Sequence, residues 1–140
     1  MDEQSFNTFQ EVDHTADWAL CIRGADLREL LLNAARGMSE LLFVSLCQIP
    51  DEVEQSIVIE GYDAECLLVN WLSELAYWAE MEGIVFREFI LHDVTPTNLR
   101  ATVRGARVPS LEKHIKAVTY HNLHIIQREG GLQATVVFDV

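Results

Sequence analysis

Basic side chains are scarce in this chain. Ten Lys and Arg stand against 22 Asp and Glu, a formal net charge of −12 over 140 residues. So acidic a surface repels phosphate, which disfavours direct RNA or DNA binding and favours a basic protein partner or a bound cation. Cysteine is scarce too. Cys21, Cys47 and Cys66 are odd in number, widely spaced and without a C-x-x-C pair, which argues against a zinc site or a disulfide framework. They are expected as small buried hydrophobes. Of the seven glycines only Gly130 and Gly131 are adjacent; a Walker-type loop, a Gly-rich dinucleotide turn and a nucleophile elbow are all absent. No window approaches the ~18 consecutive apolar residues of a membrane span. The opening MDEQSFNTFQ lacks the basic-then-apolar layout of a signal peptide, so the cytoplasm is the expected compartment and no membrane partner is expected.

What is present is enough apolar residue for a core: 49% of the chain, with 23% charged. Residues 1–140 are expected to form a single domain, burying about 70% of the surface of the unfolded chain. Periodicity then divides the chain. Residues 8–12 and 17–23 read as strands, the second alternating Trp18, Leu20 and Ile22 with Asp17, Ala19, Cys21 and Arg23. Gly24 breaks it, and Asp26 with Glu29 forms a box-like helix start. Leu27, Leu30, Leu31, Ala34, Met38, Leu41 and Leu42 make a helical stripe, which Gly37 weakens. Val53, Ile57 and Ile59 share one face of a further strand ended by Gly61. Asp63 caps a second helix whose inward face is Leu67, Leu68, Trp71, Leu72, Leu75 and Ala79, stopping at Gly83. Trp71 and Trp78 are expected in the core rather than in a ligand cage.

After Gly83 the helical period disappears. Residues 84–94, 99–105, 117–127 and 132–140 read as strands, with Gly130-Gly131 turning the last two into a hairpin. Two amphipathic helices must bury their stripes, and one sheet face can take both. The expected fold class is therefore α+β: two helices on one face of a largely antiparallel mixed sheet, built from two strand-helix-strand units.

Chemistry concentrates at two places. Asp13-His14-Thr15-Ala16-Asp17 precedes an apolar strand, and Asp139-Val140 follows the apolar run 134–138. If those strands pair, Asp17, Asp139 and the carboxylate of Val140 meet, the start of a site for a hard divalent cation of the Ca²⁺ or Mg²⁺/Mn²⁺ type. Equally, Asp17 could cap a turn while Asp139 is merely solvated. His14 could orient the Asp17 carboxylate by a hydrogen bond or simply anchor the turn. On one strand His121 and His124 point to opposite faces, a poor zinc pair.

The same segments carry a family resemblance. Residues 12–17, Val-Asp-His-Thr-Ala-Asp, resemble the D-H-T-A-D signature that opens the archease family. Residues 116–121, Lys-Ala-Val-Thr-Tyr-His, resemble its K-A-V/I-T-Y-H segment, and residues 137–140, Val-Phe-Asp-Val, its closing tail. Residues 81–86, Met-Glu-Gly-Ile-Val-Phe, are similar to its E-G-hydrophobic stretch. Departures are a shortened approach from Glu112 to Lys116, and Trp18 where a small aliphatic residue is usual. The resemblance implies a protein that is not itself an enzyme but assists a tRNA-splicing RNA ligase, promoting its guanylylation by GTP and its multiple turnover. It implies a cation held by Asp17 and Asp139 with an oxygen of Val140. Asp13, His14, Lys116 and His121 would then be neighbours of that site or contacts to the partner. An alternative role is a chaperone-like modulator of an RNA or DNA methyltransferase. A small hydrolase using Asp17 with a divalent ion is a third reading, for which no nucleophile or base stands out.

Overall fold

The computed structural model describes residues 8–14, 17–43, 45 and 48–140, with the backbone alone for residues 11–14 and 17. The element order is β1 (Phe9–His14), β2 (Asp17–Gly24), α1 (Leu27–Leu42), β3 (Val53–Glu60), α2 (Ala64–Glu82), β4 (Ile84–Thr95), β5 (Asn98–Arg107), β6 (Ala117–Thr119), β7 (Ile126–Arg128) and β8 (Gly131–Asp139).

Both helices start where the sequence signals. The Asp26 carboxylate accepts the Glu29 N–H at 2.9 Å, and Glu29 Oε1 reaches back to the Ala25 N–H at 2.6 Å. Asp63 accepts the Cys66 N–H at 2.8 Å in the same way. α2 ends at Gly83, whose φ of 67° is left-handed and suits glycine. Asp63→Ala is expected to cost about 1 kcal/mol, read as a lower urea midpoint at unchanged slope. Gly37 has a role that its helix propensity concealed. A Cβ there would lie 2.8 Å from the Phe9 ring and 2.9 Å from Leu20, so glycine lets α1 approach the β1–β2 hairpin.

The apolar face expected as one sheet is divided between two. β1, β2, β8 and β6 run side by side, with β7 also on β8, and β3-β5-β4 form a separate three-stranded sheet. Every pairing among the described residues is antiparallel. α1 packs on β2 of the first sheet and β4 of the second, and α2 on β3, β4 and β6. Both helical stripes thereby sink into one continuous cluster that includes Ile22, Val136 and Phe138 from one sheet and Phe86, Val103 and Leu99 from the other. Trp71 is fully buried at its centre, and its indole N–H donates to the Leu31 carbonyl at 3.0 Å. Trp78 is partly buried, edge-on to Phe86.

Two strand boundaries differ from expectation. Residues 117–127 are not one strand but β6 and β7, separated by a turn in which Asn122 takes φ 51°. Asn tolerates that left-handed region better than most residues, and the Leu123 N–H closes the turn onto the Tyr120 carbonyl at 3.0 Å. His121 and His124 therefore lie outside any strand. The β7–β8 hairpin also turns one residue earlier than Gly130-Gly131. Arg128 pairs with Gly131, leaving Glu129 (φ 46°) and Gly130 (φ 82°) as the two turn residues. Two positive φ angles define a type I′ turn, whose twist matches the strands. Gly131 answers a different demand, since a Cβ there would meet the Gly24 carbonyl at 2.6 Å.

Candidate functional site

The β1–β2 hairpin brings the opening acidic segment onto the first sheet, pairing His14 with Asp17 and Asp13 with Trp18. β2 then pairs with β8 in a register that sets Trp18 against Phe138. Asp17 begins β2 and Asp139 ends β8, each one residue beyond that pair. Directly opposed residues on antiparallel strands have Cα atoms ~5 Å apart, so the backbone carries the two aspartates to one corner. On the other side of β8, Ala117 pairs with Asp139, and the Lys116 N–H donates to the Asp139 carbonyl at 2.7 Å. One row of the sheet thus reads His14, Asp17, Asp139, Ala117. The side chains of Asp13, His14 and Asp17 lie outside the described residues, as does Cys47.

Packing anchors this corner from below. Phe138 is fully buried, Val118 opposite it is nearly so, and Val140 packs partly buried against the core. Asp139 itself is exposed. Its carbonyl accepts the Lys116 N–H, and its carboxylate faces solvent. Among the described residues no three His, Cys, Asp or Glu side chains cluster as a metal site. The exposed Asp139 carboxylate is an oxygen donor of the kind that a hard divalent cation takes.

Lys116 is thus brought to the corner by the backbone. His121 is not, because β6 runs away from Asp139 and His121 follows its end by two residues. Its N–H is held by Thr119 Oγ1 at 3.3 Å, while Thr119 Oγ1 donates to the Val137 carbonyl at 3.0 Å. Tyr120 is exposed. Hydrogen bonding to the Cys66 sulfur, followed by partial desolvation, pushes its phenol up to about 12. Cys66→Ala is expected to return Tyr120 towards ~10, seen as an earlier rise in tyrosinate absorbance on alkaline titration. A raised phenol favours the neutral form, so its stabilising effect is complete below pH ~10 and fades as pH climbs towards 12. Cys66 is buried and Cys21 half-buried, both as free thiols.

Sequence reasoning missed one contact beside the corner. Lys113 Nζ sits 3.8 Å from the centroid of the Trp18 ring, a cation–π contact. It ties the short segment before β6 to the strand that begins at Asp17. The signal was available as two departures from the family pattern, Trp18 and the shortened approach to Lys116, which the fold places together.

The comparisons with known proteins agree with one another. The model of the Archease protein family (MTH1598/TM1083) matches residues 9–140. Protein archease of Methanosarcina barkeri is 36% identical over 140 residues, covering 94% of this chain and 95% of its own length. That of Methanopyrus kandleri is 31% identical, covering 94% of this chain and 99% of its own. The solution structure of Methanobacterium thermoautotrophicum protein 1598 superposes with a TM-score of 0.77 at 28% identity, over 95% of this chain and 99% of that one. The crystal structure of an archease, possible chaperone, from Thermotoga maritima gives a TM-score of 0.70 over 94% and 96% of the two chains, and at 24% identity speaks for the fold alone. Among the described residues no helix is long and apolar enough to cross a membrane. Family model, curated relatives, fold and the four sequence motifs converge, and the chain belongs to the archease family.

Proposed function

We propose that this protein is a non-catalytic activator of a tRNA-splicing RNA ligase, promoting the ligase's GTP-dependent guanylylation and its repeated turnover. The observation that carries this reading is the β2–β8 register, which sets Asp17 and Asp139 at one corner of a family member. Asp17 and Asp139, with an oxygen of Val140, would hold a divalent cation there. When bound, the cation supplies positive charge that can be brought to the phosphates of a nucleotide. The chain's own part is presentation. Buried Phe138 and Val118 fix the end of β8 that carries Asp139, and a net charge of −12 draws the corner to a positively charged cleft while repelling free RNA. Lys116 anchors the Asp139 backbone and adds one cation at the rim.

The test is ligation with purified ligase and GTP, with and without this protein, under single- and multiple-turnover conditions. The expected result is faster guanylylation and turnover beyond one equivalent of product; no effect on either removes the reading. The alternative is a chaperone-like modulator of an RNA or DNA methyltransferase. It predicts a stoichiometric complex that forms without GTP and is indifferent to Asp139→Ala.

A further inference from the structure

The outer face of α2 is acidic and carries exposed apolar side chains. α2 carries Glu65, Glu74, Glu80 and Glu82 and neither Lys nor Arg. Glu80 and Glu82 fall in its last turn, where carboxylates oppose the helix dipole. Exposed among these acids are two large apolar side chains, Tyr77 at 56% and Met81 at 65%. Tyr77 stands between two grooves. One, of about 380 Å³, runs along β3 past Val58, Glu60 and Glu74. The other, of about 400 Å³, lies between α2 and β6, with Ala76, Ile115 and Val118 in its lining and Glu80 and Met81 beside them. Ile115 and Val118 are buried, so an apolar floor lies beneath an acidic, aromatic rim. The α2–β6 groove also includes Lys116 and Ala117, the residues that bond and pair with Asp139. It is therefore continuous with the corner.

We infer that the α2–β6 groove is a docking surface for a segment of a protein partner that presents an apolar side chain flanked by Lys or Arg. The apolar chain would enter beside Tyr77 and Met81, one basic flank would meet Glu80, and the other would reach past Tyr77 to Glu74 in the neighbouring groove. Burial of an aromatic beside an apolar pocket makes the anchor of an interface, and rim charges set the approach rate and its salt dependence. Glu80 is held ready by His114, whose Nδ1 lies 3.0 Å from its carboxylate. A basic segment also offsets the unfavourable placement of Glu80 and Glu82 at the C-terminal end of α2. The groove then supplies affinity while the corner supplies activation. That the segment belongs to the RNA ligase rests on the function proposed above.

The two ideas separate experimentally. The affinity of purified ligase is measured for the full chain and for Tyr77→Ala, Met81→Glu, Glu80→Gln and Asp139→Ala. Tyr77→Ala and Met81→Glu are expected to weaken binding at least tenfold, with the turnover plateau restored at saturating protein. Glu80→Gln should flatten the dependence of association on salt. Asp139→Ala should keep affinity within a few-fold and lower the plateau. Unchanged affinity in both Tyr77→Ala and Met81→Glu overturns the docking surface and leaves the activator reading standing. A wild-type chain that binds no ligase overturns the activator reading instead. The groove is then judged by amide shifts on adding a short Leu/Lys peptide or a Leu/Glu peptide of equal length. Shifts at Tyr77, Met81 and Val118 with the first alone support the inference; their absence, or equal shifts with both peptides, overturns it.

Discussion

Trp71→Ala is expected to lower the free energy of unfolding by about 3–5 kcal/mol, the usual cost of truncating a fully buried aromatic. Trp71 has no exposed surface and meets Phe89 edge-on at 6.1 Å between ring centroids. It therefore joins α2 to β4 of the three-stranded sheet. Its N–H bond to the Leu31 carbonyl joins the same residue to α1, and losing that bond adds about 1 kcal/mol. Against a typical total of about 5–15 kcal/mol, such a loss leaves a marginal protein. Urea unfolding checks it, with a lower midpoint and an unchanged slope expected. Trp71→Phe keeps most of the apolar contact and loses the hydrogen bond, so it should fall between wild type and alanine. A cost below ~1 kcal/mol for alanine would mean that the two helices and the second sheet do not share this core.

Period carried most of the fold. Both helices announce themselves by stripe, cap and stop: Asp26 and Asp63 cap as read, and Gly83 terminates α2 with the left-handed backbone that glycine favours. Strands with strict alternation were equally legible, as in β2, where Leu20 and Ile22 are buried on the core face. Division into two sheets was not legible, because periodicity says which face of a strand is apolar and nothing about which strand lies beside it. Only long-range register decides that β8 returns to β2 whereas β5 pairs with β3. The break between β6 and β7 was hidden for a local reason. Tyr120-His121-Asn122 has respectable strand composition, and only the tolerance of Asn for positive φ marks the turn.

The corner was legible in another way. Asp17 and Asp139 were singled out because each adjoins an apolar strand, and a single conditional, that those strands pair, placed them together. β2–β8 pairing satisfies that condition for the backbone. The Lys113–Trp18 contact and the α2 groove escaped, since both depend on the path of residues 108–116, which carry no period to read. Ile115 is a lone apolar residue between exposed His114 and Lys116, yet it is buried in the core. It fastens this segment down and supplies part of the groove's floor.

Asp139→Ala is expected to separate cation binding from folding. The residue is exposed, so its side chain contributes no core packing, and a surface truncation of this kind shifts stability by no more than about 0.5 kcal/mol. Without divalent ions the shift should be neutral or favourable, because like charges directly opposite on paired strands repel. Adding Ca²⁺, Mg²⁺ or Mn²⁺ should reverse the order. A ligand that binds only the folded chain stabilises it by RT ln(1 + [L]/Kd), about 2.7 kcal/mol at a hundredfold excess over Kd. On the proposed cation site, wild type should therefore gain several degrees in Tm with one of these ions, whereas Asp139→Ala and Asp17→Ala gain none. The same two variants should lower multiple-turnover ligation at least tenfold while leaving the ligase's affinity for the chain within a few-fold. A wild-type Tm indifferent to all three ions at millimolar concentration would remove the cation from the proposal, and the acidic corner would then act through its carboxylates alone.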